Sequence, residues 1–249
     1  SFKAHMFARG LAPNTINCRL TALRSVVKLA RRIGVVVWSL EVDGAKSRAY
    51  RDTSGPGLDV CRRMLEEVKR RLNGPPKQRM KAARDQAILR LLFDLALRRS
   101  SVTALDLEDV DLDARAIRVW TKGADDHEHE TRALPAPTAG VIQEWIDLRG
   151  DQPGALFVAL DPNTRGFRLT GTSIWRIVDD IARAVGARVW PHAIRHSSIT
   201  EVVDKSRDVR LGRIQAGHKS ISTTQVYVDN LECRNLDRQA SRIAADSLG

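Results

Sequence analysis

The sequence predicts a mainly α-helical fold with one small antiparallel β-sheet, an α+β architecture divided between two domains. Three observations lead to this prediction. Apolar residues recur at the three-and-four spacing of amphipathic helices along most of the chain. Three short strand-like segments interrupt that pattern once. A stretch rich in turn-forming residues, 39–57, separates a short N-terminal part from a longer C-terminal part.

One long amphipathic helix dominates the N-terminal part. In APNTINCRLTALRSVVKLARRIG, Asn14 is a suitable N-cap and Gly34 a suitable stop. Apolar side chains share one face of this helix: Ile16, Leu20, Leu23 and Val27. Basic side chains share another face: Arg24, Lys28 and Arg31. That basic face is either a ridge that contacts a phosphate backbone or an ordinary solvated surface, and this segment alone does not distinguish the two.

The C-terminal part begins with two further amphipathic helices. The first has an apolar stripe that stops at NGPP, formed by Leu58, Cys61, Leu65, Val68 and Leu72. The second presents Ile88, Leu91, Leu92 and Leu95, and we expect it to end at Arg98 and Arg99. The strand-like segments VDLD, AIRVWT and TRALP follow, and KGADDHEHE joins the last two as a hairpin. Helix then returns, for example in TSIWRIVDDIARAVG.

Composition excludes several classes of protein. Hydrophobic residues make up 43% of the chain and charged residues 29%, which is typical of a folded globular protein. No apolar run approaches the roughly 20 residues that cross a bilayer, and the N-terminus lacks the apolar core of a secretory signal, so we expect a cytoplasmic protein. Cys18, Cys61 and Cys233 lie far apart without a CxxC pair, which predicts reduced thiols rather than a zinc or redox site.

The charge of the chain points to a polyanionic partner. The net charge is +11 and the isoelectric point is about 10.2. Residues 1–50 hold nine Lys and Arg against two acidic residues, a net +7, and the remaining 199 residues hold 32 against 28, a net +4. A basic surface releases counterions from nucleic acid, so this pattern favours a nucleic-acid-binding protein, although ribosomal proteins, nucleases and basic enzymes share it.

Several short motifs carry residues suited to attack on a phosphodiester. PHAIRHSSIT places His192 and Arg195 three apart, on one face of a helix. In QAGHKSISTTQVY, His218 follows Gly217, a helix stop, and Tyr227 comes nine residues later. Guanidinium groups match the oxygens of a phosphodiester and stay protonated. A cationic site also favours the ionised form of a tyrosine, whose unperturbed pKa is about 10.

These motifs resemble those of the tyrosine recombinases, the phage integrase family. LALRRSSVTALDLEDVDL, WTKG, PHAIRHSSIT and IQAGHKSISTTQVY look like the Arg box, hairpin lysine, His-x-x-Arg box and Gly-His…Tyr box of that family. The long N-terminal helix is similar to one in the family's core-binding domain. The resemblance implies a helical core-binding, DNA-binding domain plus linker over 1–52 and a tyrosine recombinase catalytic domain over 53–249.

The resemblance also implies roles for individual residues. Arg98 and Arg195 would grip the scissile phosphate, Lys122 would protonate the leaving 5′ oxygen, and His192 would assist proton transfer. The neighbouring Arg99 is the rival of Arg98 for the first position, and the alignment of ALRRSSV with the family favours Arg98.

His218 would hydrogen-bond a phosphate oxygen, and Tyr227 would be the nucleophile that forms a 3′-phosphotyrosyl link. The family uses no metal, cofactor or ATP. Its members act on double-stranded DNA as homo-tetramers that exchange strands through a Holliday junction, and we expect a monomer or weak oligomer without DNA. The C-terminal NLDRQASRIAADSL resembles the helix that such proteins lend to a neighbouring protomer.

The sequence differs from the family pattern at several positions. Ser101 occupies a position that is usually acidic, Ala96 replaces a common glycine, and Ala216 replaces a common leucine. His196 is expected to be structural. The N-terminal domain is expected to be short, with two or three helices.

Other hypotheses remain open at this point. DDHEHE or the acidic DLEDVDLD would suit metal ligation, although a solvated hairpin tip and exposed turn residues are the favoured interpretations. A type IB topoisomerase would use similar chemistry. A DNA-binding relative that has lost catalysis is the alternative from another class.

Overall fold

A computed structural model describes residues 2–46, 55–120 and 129–217 of the chain. The chain divides into two compact units, Ser1–Arg51 and Asp52–Gly249. Most of the described residues are helical, and the described strands form one three-stranded antiparallel sheet, which confirms the predicted α+β class. No helix within the described residues is both long enough and apolar enough to cross a membrane.

The N-terminal unit contains two described helices, α1 (Phe2–Ala8) and α2 (Pro13–Arg32). The predicted N-cap is wrong: α2 begins one residue earlier than Asn14, and Ala12 occupies the cap position. The reason is that a proline suits the first position of a helix, where its missing N–H is not required. The helix ends as predicted, because Gly34 adopts a φ of +77° just beyond it.

A small core holds this unit together, formed by Met6, Ile16, Leu20 and Ala45. The amide of Asn17 donates to the carbonyl of Ala45 at 3.0 Å and accepts from its N–H at 2.6 Å, which ties the segment after α2 back onto the helix. Of the predicted apolar face, Leu23 is 39% exposed, so the buried part of that face is the N-terminal half of the helix.

Seven helices are described in the C-terminal unit: α3 (Leu58–Leu72), α4 (Pro76–Asp94), α5 (Arg99–Ala104), α6 (Ala136–Arg149), α7 (Gly171–Ala184), α8 (Pro191–Ser206) and α9 (Val209–Ala216). The helices predicted from the apolar stripes correspond to α3, α4 and α7. Their apolar faces meet in one large core, in which Trp145 and Phe157 are the largest fully buried side chains.

The sheet is formed by β1 (Val110–Asp111), β2 (Ala116–Trp120) and β3 (His129–Ala133), in that spatial order. A 3₁₀ turn over Leu107–Asp109 leads into β1. In the β2–β3 pair, Trp120 lies opposite His129. The connection between these strands, 121–128, lies outside the described residues.

The helix that was predicted to end at Arg98 and Arg99 stops earlier. α4 ends at Asp94, and the chain turns before Arg98, which is the N-cap of α5. The turn arises at Ala96, whose φ of +48° is left-handed, while the N–H of Leu97 donates back to the carbonyl of Leu91 at 3.2 Å. This is the helix-ending position that glycine usually fills, which gives the common glycine of the family a physical reason.

A second, small cluster of buried side chains lies beside this turn. It is formed by Ala96, Ile199, Val203 and Ala216. The cluster therefore packs the turn before Arg98 against two elements. One is α8, which carries the His-x-x-Arg motif, and the other is the end of α9, which leads into the Gly-His motif.

Candidate active site

Arg98 and His192 line the same cleft, of about 450 Å³. Arg98 is half-buried at the start of α5, and His192 is exposed in the first turn of α8. Arg99, Trp175 and Trp190 also line the cleft. The fold thus brings together two predicted site residues that are far apart in the sequence, and it surrounds them with basic and aromatic side chains.

The first turn of α8 adds a partial positive charge to this cleft. A helix N-terminus leaves backbone N–H groups without intrahelical acceptors, and His192 lies in that turn behind Pro191. The His192 ring packs edge-on against the half-buried His196 ring, with centroids 4.3 Å apart. His196 therefore supports the orientation of the His192 ring from one turn further along the helix.

Arg195 is nearly completely buried, with 4% of its surface exposed. Its guanidinium donates to the carbonyl of Ala96 and to that of Ala216. These carbonyls lie at the C-terminal ends of α4 and α9, where the helix dipole favours a cation. One side chain therefore joins α8 to the turn before Arg98 and to the segment that leads into His218.

Two further side chains join the same elements. The amide of Gln215 donates to the carbonyl of Asp94 at 2.8 Å and to the hydroxyl of Ser198 at 3.0 Å. Arg132 on β3 donates to the carbonyls of Leu95 and Gln215, at 3.5 and 3.4 Å, and burial lowers its pKa. No sequence motif singled out Arg132, although its inward position in the alternating strand HETRA was a usable signal.

The chain segment before α3 contacts α8 on the side of Ser197. The Ser197 hydroxyl accepts the N–H of Gly57 at 3.0 Å. Burial raises the pKa of the Cys61 thiol to about 11, against the opposing effect of a hydrogen bond with Ser197. A thiol with so high a pKa remains protonated at neutral pH and is therefore a poor nucleophile.

Three predicted site residues, Lys122, His218 and Tyr227, lie outside the described residues. Trp120 ends β2 two residues before Lys122, and α9 ends two residues before His218. Cys233 and most of DDHEHE also lie outside them.

The predicted basic face of α2 is present in the N-terminal unit. Lys28 and Arg31 are exposed, whereas Arg24 is half-buried and donates to the carbonyl of Val42. Arg24 therefore also holds the segment after α2 in place, a role that periodicity does not reveal.

Two carboxylates of DLEDVDLD bond to other groups of the protein. Asp106 pairs with Arg168, and Asp109 accepts the backbone N–H of Asp106 at 2.9 Å and lies 3.3 Å from Arg118. Among the described residues, no group of three or more His, Cys, Asp or Glu side chains is arranged to hold a metal ion.

Comparison with known proteins identifies the family. The model of the phage integrase family matches residues 62–234. The tyrosine recombinase slr0733 of Synechocystis sp. is 34% identical over 235 residues, which cover 92% of this chain and 72% of the relative. This chain belongs to the phage integrase family. A second tyrosine recombinase, Synpcc7942_B2651 of Synechococcus elongatus, is 36% identical over 236 residues, which cover 92% of this chain and 71% of the relative.

Two solved structures of DNA-bound proteins share the fold. The XerH site-specific recombinase, bound to a palindromic difH substrate in a post-cleavage complex, aligns with a TM-score of 0.73 at 19% identity. That alignment covers 95% of this chain and 69% of XerH. The Tn1549 transposon integrase, in complex with a circular intermediate DNA, aligns with a TM-score of 0.66 at 17% identity over 94% of this chain and 83% of the integrase.

Proposed function

We propose that this member of the phage integrase family is a site-specific recombinase that cuts and rejoins duplex DNA through Tyr227. The observation that carries the proposal is the shared cleft of Arg98 and His192, with Arg195 anchoring the helix and the turn on which they lie. These are the residues that the family motifs single out. The family match and the relatives named as tyrosine recombinases support the same conclusion.

In the proposed cleavage step, the phenolate oxygen of Tyr227 attacks the scissile phosphorus. The bond from phosphorus to the 5′ oxygen breaks, and Lys122 gives that oxygen its proton. The products are a 3′-phosphotyrosyl ester and a free 5′ hydroxyl. Religation reverses the step, and because the ester retains the energy of the broken bond, no ATP is consumed.

The cations of the cleft support this chemistry electrostatically. Negative charge develops on the non-bridging oxygens in the transition state, and fixed cations and helix N-termini lower its energy most where water is excluded. Arg98 and Arg195 would bind these oxygens, His218 would hydrogen-bond one of them, and His192 would assist proton transfer. These groups perform the reaction without a metal or another cofactor.

At the level of assembly, we propose a homo-tetramer that brings two DNA sites together and exchanges strands through a Holliday junction. The N-terminal domain and linker, 1–52, and the catalytic domain, 53–249, would both contact the duplex. The basic α2 face fits this role because Lys28 and Arg31 are exposed. Neighbouring protomers would exchange the C-terminal NLDRQASRIAADSL segment.

The proposal is tested with suicide DNA substrates, drawn from the genomic DNA that flanks the gene, which trap the cleaved strand. The unmodified protein should form a covalent complex that persists on a denaturing gel and forms equally well with a chelator. Tyr227→Phe should bind the same DNA without forming the covalent complex. A persistent adduct with Tyr227→Phe would refute the assignment of the nucleophile, and loss of cleavage on chelation would indicate a metal-dependent nuclease.

Strand exchange separates the recombinase from a type IB topoisomerase. A recombinase should join strands from two DNA molecules that carry the trapped site. Relaxation of supercoils at any sequence, without joining two sites, would assign the same active site to a topoisomerase. Binding without cleavage by the unmodified protein would indicate an accessory relative.

A further inference from the structure

The β2–β3 hairpin, whose connection contains Lys122, is tied to the active-site helices at each of its two strands. The first tie comes from Ser101, the residue that departs from the family pattern. Ser101 is buried on α5, and its hydroxyl donates to the carbonyl of Trp120 at 3.0 Å. Ser101 lies three residues after Arg98, and Trp120 lies two residues before Lys122.

The chemistry of this tie depends on a hydroxyl group. A backbone carbonyl accepts hydrogen bonds, and an ionised carboxylate has no proton to donate to it. Ser101 therefore makes a contact that the acid usual at this position makes only when protonated. The contact links the helix that begins at Arg98 to the end of the strand that leads to Lys122.

The second tie comes from Arg132 on β3. Its side chain is 13% exposed and lies on the inward face of the strand, where its backbone pairs with Ile117 of β2. Its guanidinium reaches the carbonyl of Leu95 at the end of α4 and that of Gln215 near the end of α9. The returning strand is thus attached to the same helix ends that Arg195 joins.

We propose that Ser101 and Arg132 are positioning residues that hold strands β2 and β3 against the active-site helices, and that Lys122 depends on this anchorage for its part in the reaction. This inference rests on the proposed function, because it requires Lys122 to protonate the leaving oxygen. Neither side chain needs to touch DNA. Each acts by anchoring one of the two strands that flank the connection containing Lys122.

A positioning role for Ser101 and Arg132 can be separated from a general structural role with a DNA substrate whose leaving group needs no proton. In a 5′-bridging phosphorothiolate substrate, sulfur replaces the leaving oxygen, and the P–S bond breaks to release a thiolate. A thiol has a pKa of about 8.5, far below that of an alcohol, so the thiolate leaves without an acid. A defect in placing Lys122 should therefore disappear on this substrate, whereas a defect in Arg98, His192 or Tyr227 should remain.

Ser101→Ala tests the first tie. We expect single-turnover cleavage of the ordinary substrate to slow about tenfold, as the loss of roughly 1.4 kcal/mol of transition-state stabilisation would cause. The phosphorothiolate should be cleaved at nearly the unmodified rate. Thr103→Ala is the matched control, because it removes a hydroxyl from the same helix that bonds only to the nearby carbonyl of Ser100 among the contacts described, at 2.8 Å. It should leave both rates unchanged.

Arg132→Lys tests the second tie and keeps the positive charge. A single ammonium group cannot reproduce the planar fork of the guanidinium, so the same substrate-dependent defect is expected. Arg118→Lys is its control, because Arg118 is an exposed arginine on β2 that contacts the carbonyl of Glu108 and the carboxylate of Asp109 instead.

Equal slowing on the two substrates, for both Ser101→Ala and Arg132→Lys, would overturn the inference and assign these residues a general structural role. Unchanged cleavage of the ordinary substrate would overturn it as well. Failure of the proposed function looks different, since the unmodified protein would then form no covalent complex with either substrate.

Discussion

Arg195 shows how one buried side chain can join several structural elements of this protein. Its guanidinium donates to the carbonyls of Ala96 and Ala216, and only 4% of its surface is exposed. Removing it would leave both buried carbonyls without this donor, and such an unsatisfied group costs about 1–3 kcal/mol. The residue therefore stabilises the site in addition to its proposed contact with phosphate.

Arg195→Ala is expected to lower the free energy of unfolding by about 1–3 kcal/mol and to reduce cleavage by roughly 10²–10³-fold. Urea unfolding and single-turnover cleavage measure the two effects. Arg98→Ala is the comparison, because Arg98 is half-buried at the cleft and should lose cleavage with a smaller change in stability. If both variants unfolded at the same urea concentration as the unmodified protein, the structural role of Arg195 would be disproved.

At the scale of elements, the segment just before α3 is seated against α8, the helix of His192 and Arg195. A Cβ atom added at Gly55 would lie 2.3 Å from the carbonyl oxygen of Ala193 and 2.8 Å from the N–H nitrogen of Ser197. The φ of Gly55 is also +65°, which favours glycine. The close approach leaves no room for a side chain at this position.

Gly55→Ala should therefore displace this segment from α8 and destabilise the C-terminal unit by more than the roughly 1–2 kcal/mol that a left-handed alanine costs. Gly186→Ala is the matched control, since Gly186 lies in the same unit and has a φ of +70°, but an added Cβ meets open space. This control variant should lose only the stability that an alanine costs at a positive φ, without a steric clash. Thermal unfolding of the two variants measures the difference, and equal loss of stability in both would contradict the close packing at Gly55.

An ion-pair network links α3 to α7 and has a defined pH dependence. Hydrogen bonds from Arg70, then from Arg71, lower the pKa of Glu67 from 4.5 to about 2, and Arg71 also reaches Asp180 of α7 at 2.7 Å. Because the pKa is lower in the folded state, the network stabilises the protein above pH 4.5 and loses this effect as the pH falls towards 2.

Glu67→Gln should reduce stability at pH 7 by less than about 1 kcal/mol, since its partner Arg70 is 72% exposed and an ion pair screened by solvent contributes little. The difference from the unmodified protein should shrink between pH 4.5 and 2. Glu66→Gln is the control, because it removes the same charge from an exposed position on the same helix. Urea unfolding across this pH range measures both variants. A Glu67→Gln difference that stayed constant down to pH 2 would show that its charge is not involved.

At the scale of the whole molecule, the positive charge is concentrated in the N-terminal fifth of the chain. Residues 1–50 carry nine basic and two acidic side chains, out of a net +11 for the protein. Such a distribution favours binding of a polyanion by counterion release, which is sensitive to salt and largely independent of sequence.

Lys28→Gln and Arg31→Gln should each reduce the slope of log affinity against log salt concentration by about 0.9, which is the effect of one lost phosphate contact. Arg24→Gln should reduce it less and destabilise the N-terminal unit instead, because Arg24 is half-buried and donates to the carbonyl of Val42. Titrations of labelled duplex DNA at several salt concentrations measure the slopes. Unchanged slopes for Lys28→Gln and Arg31→Gln would remove α2 from the DNA interface.

Local patterns in the chain were enough to predict its fold class, its main helices and the family to which it belongs. Apolar periodicity placed α3, α4 and α7 because the spacing of buried side chains follows directly from helix geometry. Arg98, His192 and Arg195 could be predicted as site residues because each lies in a short motif that resembles one of the tyrosine recombinases. Lys122, His218 and Tyr227 were named in the same way, and their placement remains a prediction.

Packing between distant segments decided the rest. Periodicity carried α4 on to Arg98, but the left-handed turn at Ala96 ends it at Asp94. No local pattern indicates that Arg195 binds one carbonyl in the turn after α4 and another at the end of α9, or that Ser101 and Arg132 hold the hairpin strands. Such contacts depend on which helix ends and strands lie close together in the folded protein. Every residue has a backbone carbonyl, so the sequence does not indicate which carbonyls accept these hydrogen bonds.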